Sequence, residues 1–202
     1  MNTLEAITTR RSVRHYDASH QISGAEERTI LEHALLAPTS FNIQNWRFVV
    51  VKDPEQRAKV RQAGWDQSQM TDASLLVVLT ADLQSWSKNT ERYWVTAPKE
   101  TSDFLVNSIH EFYKDKPELQ RDEAMRSVGI AGQTLMLAAR ELGYDSCPMV
   151  GYDPEQVAQI INLPDDHVIG MMVAIGKKSE EPYPRGGQLP YEEVVITDRF
   201  SD

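Results

Sequence analysis

Three short stretches of this 202-residue chain hold residue types that could do chemistry at close spacing. The first is Arg10-Arg11-Ser12-Val13-Arg14-His15-Tyr16, with three arginines and a hydroxyl inside five positions, in a chain whose formal net charge is −9. Guanidinium groups are planar, permanently charged and rich in donors, which suits them to a phosphate or another delocalised anion. A solvated basic patch facing surface carboxylates is the plain alternative. The second stretch is Thr39-Ser40-Phe41-Asn42-Ile43-Gln44-Asn45-Trp46. Its amides and hydroxyls offer both donors and acceptors to the edge of a heterocycle, or they make an ordinary polar turn. The third is Pro148-Met149-Val150-Gly151. It is either a connector or a backbone amide aimed at a ligand, where glycine permits close approach.

Other chemistries lose support. The sequence has no G-x-G-x-x-G, G-x-x-x-x-G-K-[ST], H-E-x-x-H or G-x-S-x-G, so a dinucleotide fingerprint, a P-loop, a zinc protease and an α/β hydrolase are not indicated. His15, His20, His33, His110 and His167 show no metal-ligand spacing to one another or to a cysteine, and no metal site is expected. Cys147 is the single cysteine, which precludes an internal disulfide and reads as a buried thiol rather than a nucleophile. No Ser–His–Asp set or carboxylate pair stands out, so no catalytic side chain is assigned. A pI near 5.1 argues against a nucleic-acid or anionic-membrane surface. No apolar run approaches the roughly 20 residues of a membrane helix, and no signal peptide opens the chain. The expected location is the cytoplasm.

The elements that must position these stretches follow from capping and periodicity. Residues 2–9 read as a short helix, after which Val13 and Tyr16 look like buried anchors of an extended piece. Ser23 and Glu26 form a capping box opening a helix that Pro38 ends. Residues 48–51 are a short strand. Asp53-Pro54-Glu55-Gln56 starts a helix closed by Gly64. The apolar runs 75–81 and 168–175 read as buried strands. Residues 82–101 read as an irregular excursion, followed by a helix over 102–114 with Phe104, Leu105, Ile109 and Phe112 on one face. The longest helix is expected at 121–142, with Gly143 as its C′ residue. Its Gly129 and Gly132 would let another helix approach at a subunit interface. Residues 145–151 read as a connection, Asp153 caps a helix to Ile161, and 193–197 read as a final strand. Few, widely separated strands among helices favour an α+β layered fold with a small sheet. One domain over 1–202 is expected, with a lid around 82–117.

These stretches resemble the nitroreductase family of FMN-dependent oxidoreductases, short bacterial type. The resemblance rests on RRSVRHYD, APTSFNIQNWRFVVV, GYDSCPMVGYDPEQV and AIGKK…RGGQLPYEEVV, in the family's order along nearly the whole chain. It implies a three-layer α-β-α fold with a small mixed or antiparallel central sheet. It implies a homodimer with FMN at the subunit interface, and a C-terminal strand or extension reaching the partner. Arg10, Arg11, Ser12 and Arg14 match the segment that holds the FMN phosphate, ribityl chain and pyrimidine side. Thr39, Ser40 and Asn42 match the loop that reaches across from the partner, with Gln44 nearby. Gln69 matches a polar residue facing the pyrimidine. Pro148, Met149, Val150 and Gly151 match the segment whose backbone N–H approaches N5. The family's C-terminal cation falls on Gln188 here, with Arg185 and Lys177 as alternative donors. Many members carry an acidic residue where Val150 stands. The implied activity is ping-pong transfer from NAD(P)H to an electron-poor acceptor such as a nitroaromatic or a quinone. Phe41, Trp65, Phe104 and Phe112, with Trp86 and Trp94, are the candidate pocket walls. The alternatives are the same fold with other chemistry (azoline dehydrogenation, reductive dehalogenation, flavin fragmentation) or a non-catalytic FMN-binding protein.

Overall fold

The computed structural model describes residues 1–200. Caps legible in the sequence open several helices. Asn2 caps α1 (Thr3–Thr9), the Ser23–Glu26 capping box opens α2 (Gly24–Ala34), and Asp53 caps α3 (Pro54–Ala63). Asp153 caps α7 (Pro154–Ile160). Between them lie α4 (Gln69–Asp72), α5 (Lys99–Tyr113) and α6 (Pro117–Glu141). Gly143 ends α6 in the left-handed region at φ 76°, where glycine carries no Cβ penalty.

Among the described residues the strands β1 (Trp46–Val50), β2 (Leu75–Asp82), β3 (Asp145–Met149) and β4 (His167–Gly176) form one sheet, order β1-β2-β4-β3. Every pairing is antiparallel. The sheet is buried on both faces, which is why β2 reads as a continuous apolar run. Leu75, Val77, Leu79, Ala81, Val173 and Ile175 pack on α2 and α6. Alternate residues Leu76, Val78, Met172 and Ala174 pack on the other side, with Val60 of α3, Met70 of α4 and Val157 of α7. Helices on both sides make the expected three-layer α-β-α fold.

The structure revises several readings. Residues 145–149 are not a connector but the edge strand β3. Pro148 hid it, since proline reads as a break, yet an edge strand tolerates a missing N–H. Gly132 faces the sheet, with Leu79 and Met171 beside it, rather than a second helix, whereas Gly129 has open space beside it that leaves room for a partner. Helix α5 begins at Lys99 and turns Ile109 and Tyr113 inward, while Phe104 is 67% exposed. Residues 193–197 form no strand. Tyr191–Val194 is a helical turn, α8, and Val195 and Ile196 are exposed. β-branched residues make a strand only where a neighbour supplies the ladder and a surface to pack on, and the chain puts no strand beside this segment.

Candidate functional site

The arginine stretch is laid along the outer edge of β3. Val13, 1% exposed, and Tyr16 insert into the core below. The Val13 amide donates to the Ser146 carbonyl at 3.1 Å, and the Tyr16 hydroxyl donates to the Ala174 carbonyl at 3.2 Å. Alternation then turns the polar residues Ser12 and Arg14 away from the anchors and leaves both beside a cleft of about 490 Å³. The far wall of that cleft is the C-terminal segment. Arg11 donates to the Tyr183 carbonyl. Arg185 donates to the carbonyls of Thr8 and Arg10, both at 3.0 Å.

Arg10, Arg11 and Arg185 therefore gather without a carboxylate among the described ion pairs. Burial, then the neighbouring charges of Arg185 and Arg11, pull the Arg10 guanidinium below its ordinary range. Its Nη1 is buried with no hydrogen-bond partner. A buried, unpaired donor on a cation is costly, and an anion in the cleft would satisfy it. Of the three C-terminal candidates, only Arg185 lines the cleft. Lys177 is spent on the Gly143 carbonyl at 2.6 Å and sits 4.2 Å from the Tyr144 ring centroid. Gln188 lies exposed beyond the cleft.

The third stretch lies at the end of β3, and none of its residues lines the arginine cleft. Val150 points outward, 74% exposed. Gly151 is held by Gln67, whose Nε2 donates to the Gly151 carbonyl at 2.7 Å and to the Gly64 carbonyl at 3.0 Å. Gln69, 5% exposed, donates to Gln67 Oε1 at 3.0 Å. A Cβ on residue 151 would come within 3.2 Å of the Trp65 ring. Trp65 is 70% exposed and, like Asp66, adopts a positive φ. Such strained backbone is held by the structure around it. Gln67 had drawn no attention in the sequence. Its only signal was its place two residues before Gln69.

The second stretch forms a separate constellation. Residues 40–42 make a 3-10 turn, and Phe41, Asn42 and Gln44 all have positive φ. The Gln44 amide donates to Thr39 Oγ1 at 3.0 Å, and Asn42 Nδ2 donates to the Tyr93 carbonyl at 3.1 Å. The Ser40 amide donates to Glu123 Oε1 at 3.2 Å, and Ser127 Oγ donates to the same oxygen at 3.1 Å. Glu123 is buried and also meets Arg126 at 3.0 Å. It was a missed residue, although an acidic side chain one turn before Ser127 on the inward stripe of α6 was a usable signal. The Phe41 ring is 5.5 Å from that of Phe112. Trp86 and Trp94 pack behind them around Ile109 and Tyr113, while Phe104 stands outside this group. No hydrogen bond among the described residues joins residues 39–44 to the arginine cleft.

Asp82, Asp166 and His167 place ligand atoms within 4.8 Å of one another. Their centre is taken by the Lys88 ammonium, 2.9 Å from Asp82 and 2.6 Å from Asp166. The cluster thus ties the excursion after β2 to the start of β4.

A model of the nitroreductase family matches residues 7–177. The chain belongs to the nitroreductase family. It is similar to protein DrgA of Synechocystis, 53% identical over 181 residues that cover 90% of this chain and 86% of that one. It is also similar to a protein from Thermus thermophilus named NADH dehydrogenase, 33% identical over 208 residues covering 95% of this chain and 93% of that one. A crystal structure from Exiguobacterium sibiricum in complex with FMN superposes with TM-score 0.90 at 32% identity, covering 97% of both chains.

Proposed function

We propose that this protein is an FMN-dependent oxidoreductase that passes reducing equivalents from NAD(P)H to an electron-poor acceptor, a nitroaromatic or a quinone. The observation that carries the reading is the buried, unpartnered Arg10 Nη1 within an arginine group on the β3 edge that makes no ion pair among the described residues, although Glu180 and Glu181 line the same cleft. That donor set fits the phosphate of FMN. Arg10, Arg11, Arg14 and Arg185 would hold the phosphate, with Ser12 beside them. Gln69 would meet the pyrimidine edge, and the Gly151 backbone would approach the ring. The FMN complex of the Exiguobacterium sibiricum protein and the name of the Thermus thermophilus relative support both partners of the reaction.

Bound FMN supplies the hydride-accepting ring system; the protein's share is binding, orientation and electrostatics. An arginine near the pyrimidine favours negative charge on the ring. Reductant and acceptor would occupy the same place in turn, a ping-pong scheme. Trp65 on one side and Phe41 with Phe112 on the other would supply flat apolar walls for planar substrates.

The two constellations lie at opposite edges of the sheet in one protomer, which supports a site completed by a homodimer. Residues 39–44 of one copy would close on the arginine cleft of the other. Exposed Leu4, Ile7, Leu36 and Ile130, and the apolar tail with Val194 and Phe200, supply contact surface for that assembly. The tail is the extension that would reach the partner. We read the chain as one domain with residues 82–117 as the lid, working in the cytoplasm. No helix among the described residues is long and apolar enough to cross a membrane.

The test is anaerobic titration of the purified protein. It should be yellow and bleach with NADH or NADPH, then recolour with a quinone. A colourless protein that takes up no added FMN sinks the reading. A yellow protein that neither nucleotide bleaches moves it to a non-catalytic flavin binder or to other flavin chemistry on this fold.

A further inference from the structure

A second cationic cleft, of about 440 Å³, lies beside residues 39–44 and is lined by Gln44, Trp46, Arg47, Arg92 and Tyr93. Arg47 is locked in place from below, because its Nη1 donates to the carbonyls of Gln44 and Trp46, both at 2.8 Å. Its Nη2 is 3.7 Å from Asp82, longer than the roughly 2.7–2.9 Å of a charge-assisted hydrogen bond. Asp82 is already taken by Lys88, which reaches both carboxylate oxygens at 2.9 Å. The charge of Arg47 is thus poorly compensated.

Arg92 is held by neutral groups. Its Nη2 donates to the Tyr93 hydroxyl at 2.9 Å, and its guanidinium carbon lies 4.9 Å from the Tyr93 ring centroid. No carboxylate pairs with it among the described residues. Trp46 lines the same cleft, and its Nε1 is buried without a partner. Two guanidinium groups held by neutral partners line one open space beside the Trp46 indole, and the occupant their charge calls for is an anion. The cleft is continuous with the loop at residues 39–44, since Gln44 is part of both and Asn42 is bonded to Tyr93.

We propose that Arg47 and Arg92 form an anion subsite of the substrate channel, taking a phosphate of the dinucleotide reductant or the acidic group of a charged acceptor. The proposal rests on the reading that residues 39–44 close on the partner's flavin. Physical need supports it: a chain of net charge −9 repels a polyanionic nucleotide unless cations are concentrated where it docks. At physiological salt that repulsion is screened beyond about 8 Å, so the compensating charges must stand at the channel itself.

The test compares wild-type holoenzyme with Arg92→Glu and Arg92→Lys; Arg92 is exposed on a turn, so both variants should fold. One arm measures KM for NADH and NADPH with a neutral quinone as acceptor. A second measures KM for a carboxylated and a neutral nitroaromatic at fixed NADH. A third follows NADP⁺ binding by tryptophan fluorescence, without turnover. Losing one charge-assisted contact predicts a rise of about tenfold or more in KM for the anionic ligand. kcat should stay within about twofold, because a contact made equally in ground and transition states changes only binding. Arg92→Lys should restore most of it, and high salt should erase the difference. A rise for the nucleotides together with weaker NADP⁺ binding assigns the subsite to the reductant phosphate. A rise confined to the carboxylated acceptor assigns it to the acceptor. Unchanged KM in both arms, with yellow protein that NAD(P)H still bleaches, overturns the subsite and leaves the flavoenzyme reading standing. A wild-type protein that binds no FMN overturns both.

Discussion

Replacing Gln67 with leucine tests whether the Gly151 backbone is held in place for a ligand. Gln67 donates to the Gly151 carbonyl at 2.7 Å and the Gly64 carbonyl at 3.0 Å, and accepts from Gln69 at 3.0 Å. Leucine is close in volume, so little cavity forms and the loss is polar. A net contribution near 0.5–1.5 kcal/mol per bond, with Gln69 left unpaired in a buried position, gives a loss of about 3 kcal/mol. For a chain of this length that lowers Tm by roughly 6–12 °C. If Gln67 were only structural, apo and FMN-loaded protein would lose stability equally. If it positions Gly151 and Gln69, FMN affinity falls as well, by about tenfold for each 1.4 kcal/mol of pre-organisation lost. The assay pairs thermal melts of both forms with FMN binding by fluorescence and the reduction potential of the bound flavin. Wild-type affinity and potential in a folded Gln67→Leu protein would refute the positioning role.

Arg14→Ala should weaken FMN retention far more than Arg28→Ala, whose side chain is 78% exposed and paired only with Glu32; equal retention, read by dialysis and absorbance, would return Arg14 to a solvated patch. Gly170→Ala should cost roughly 1–3 kcal/mol by overpacking, since a Cβ there would lie 2.4 Å from Val128 Cγ1 at the bulge between β2 and β4; adding Val128→Ala should recover part of it in a double-mutant cycle read by chemical denaturation. Bonds from Lys88, then His167, hold the Asp166 carboxyl below its usual range. A depressed folded-state pKa adds stability that is present above the unfolded carboxylate range and lost as pH falls through the folded value, so Asp166→Asn should flatten the acid limb of the Tm profile below about pH 4. An unchanged acid limb would show that the Lys88 clip is marginal.

Much of the scaffold was legible because its signals are local. The Ser23–Glu26 box and the Asp53 and Asp153 caps satisfy backbone groups within four residues of themselves, so no partner element is needed to read them. β2 and the inner half of β4 were visible as apolar runs. The arginine stretch was visible as charge against an acidic background. Its role was legible only through resemblance, because a donor cluster by itself names an anion and nothing more.

Where contacts are made across long separations, the sequence was silent or misleading. β3 exists because β4 offers it a ladder and Ser12 bridges its outer edge at Ser146, and neither partner can be read from Pro148 and its neighbours. The inward face of α5 turned to Ile109 and Tyr113, since which stripe is buried depends on what packs there. Residues 193–197 have strand composition but no strand to pair with. Arg185, rather than Lys177 or Gln188, reached the arginine cleft because the chain after β4 crosses back over α1, a path set by the Arg11 and Arg185 bonds to backbone carbonyls. Sequence alone determined which residues could hold a phosphate. The tertiary structure decided which of them meet, because bringing charges from both ends of the chain onto one sheet edge is a consequence of strand pairing and not of local propensity.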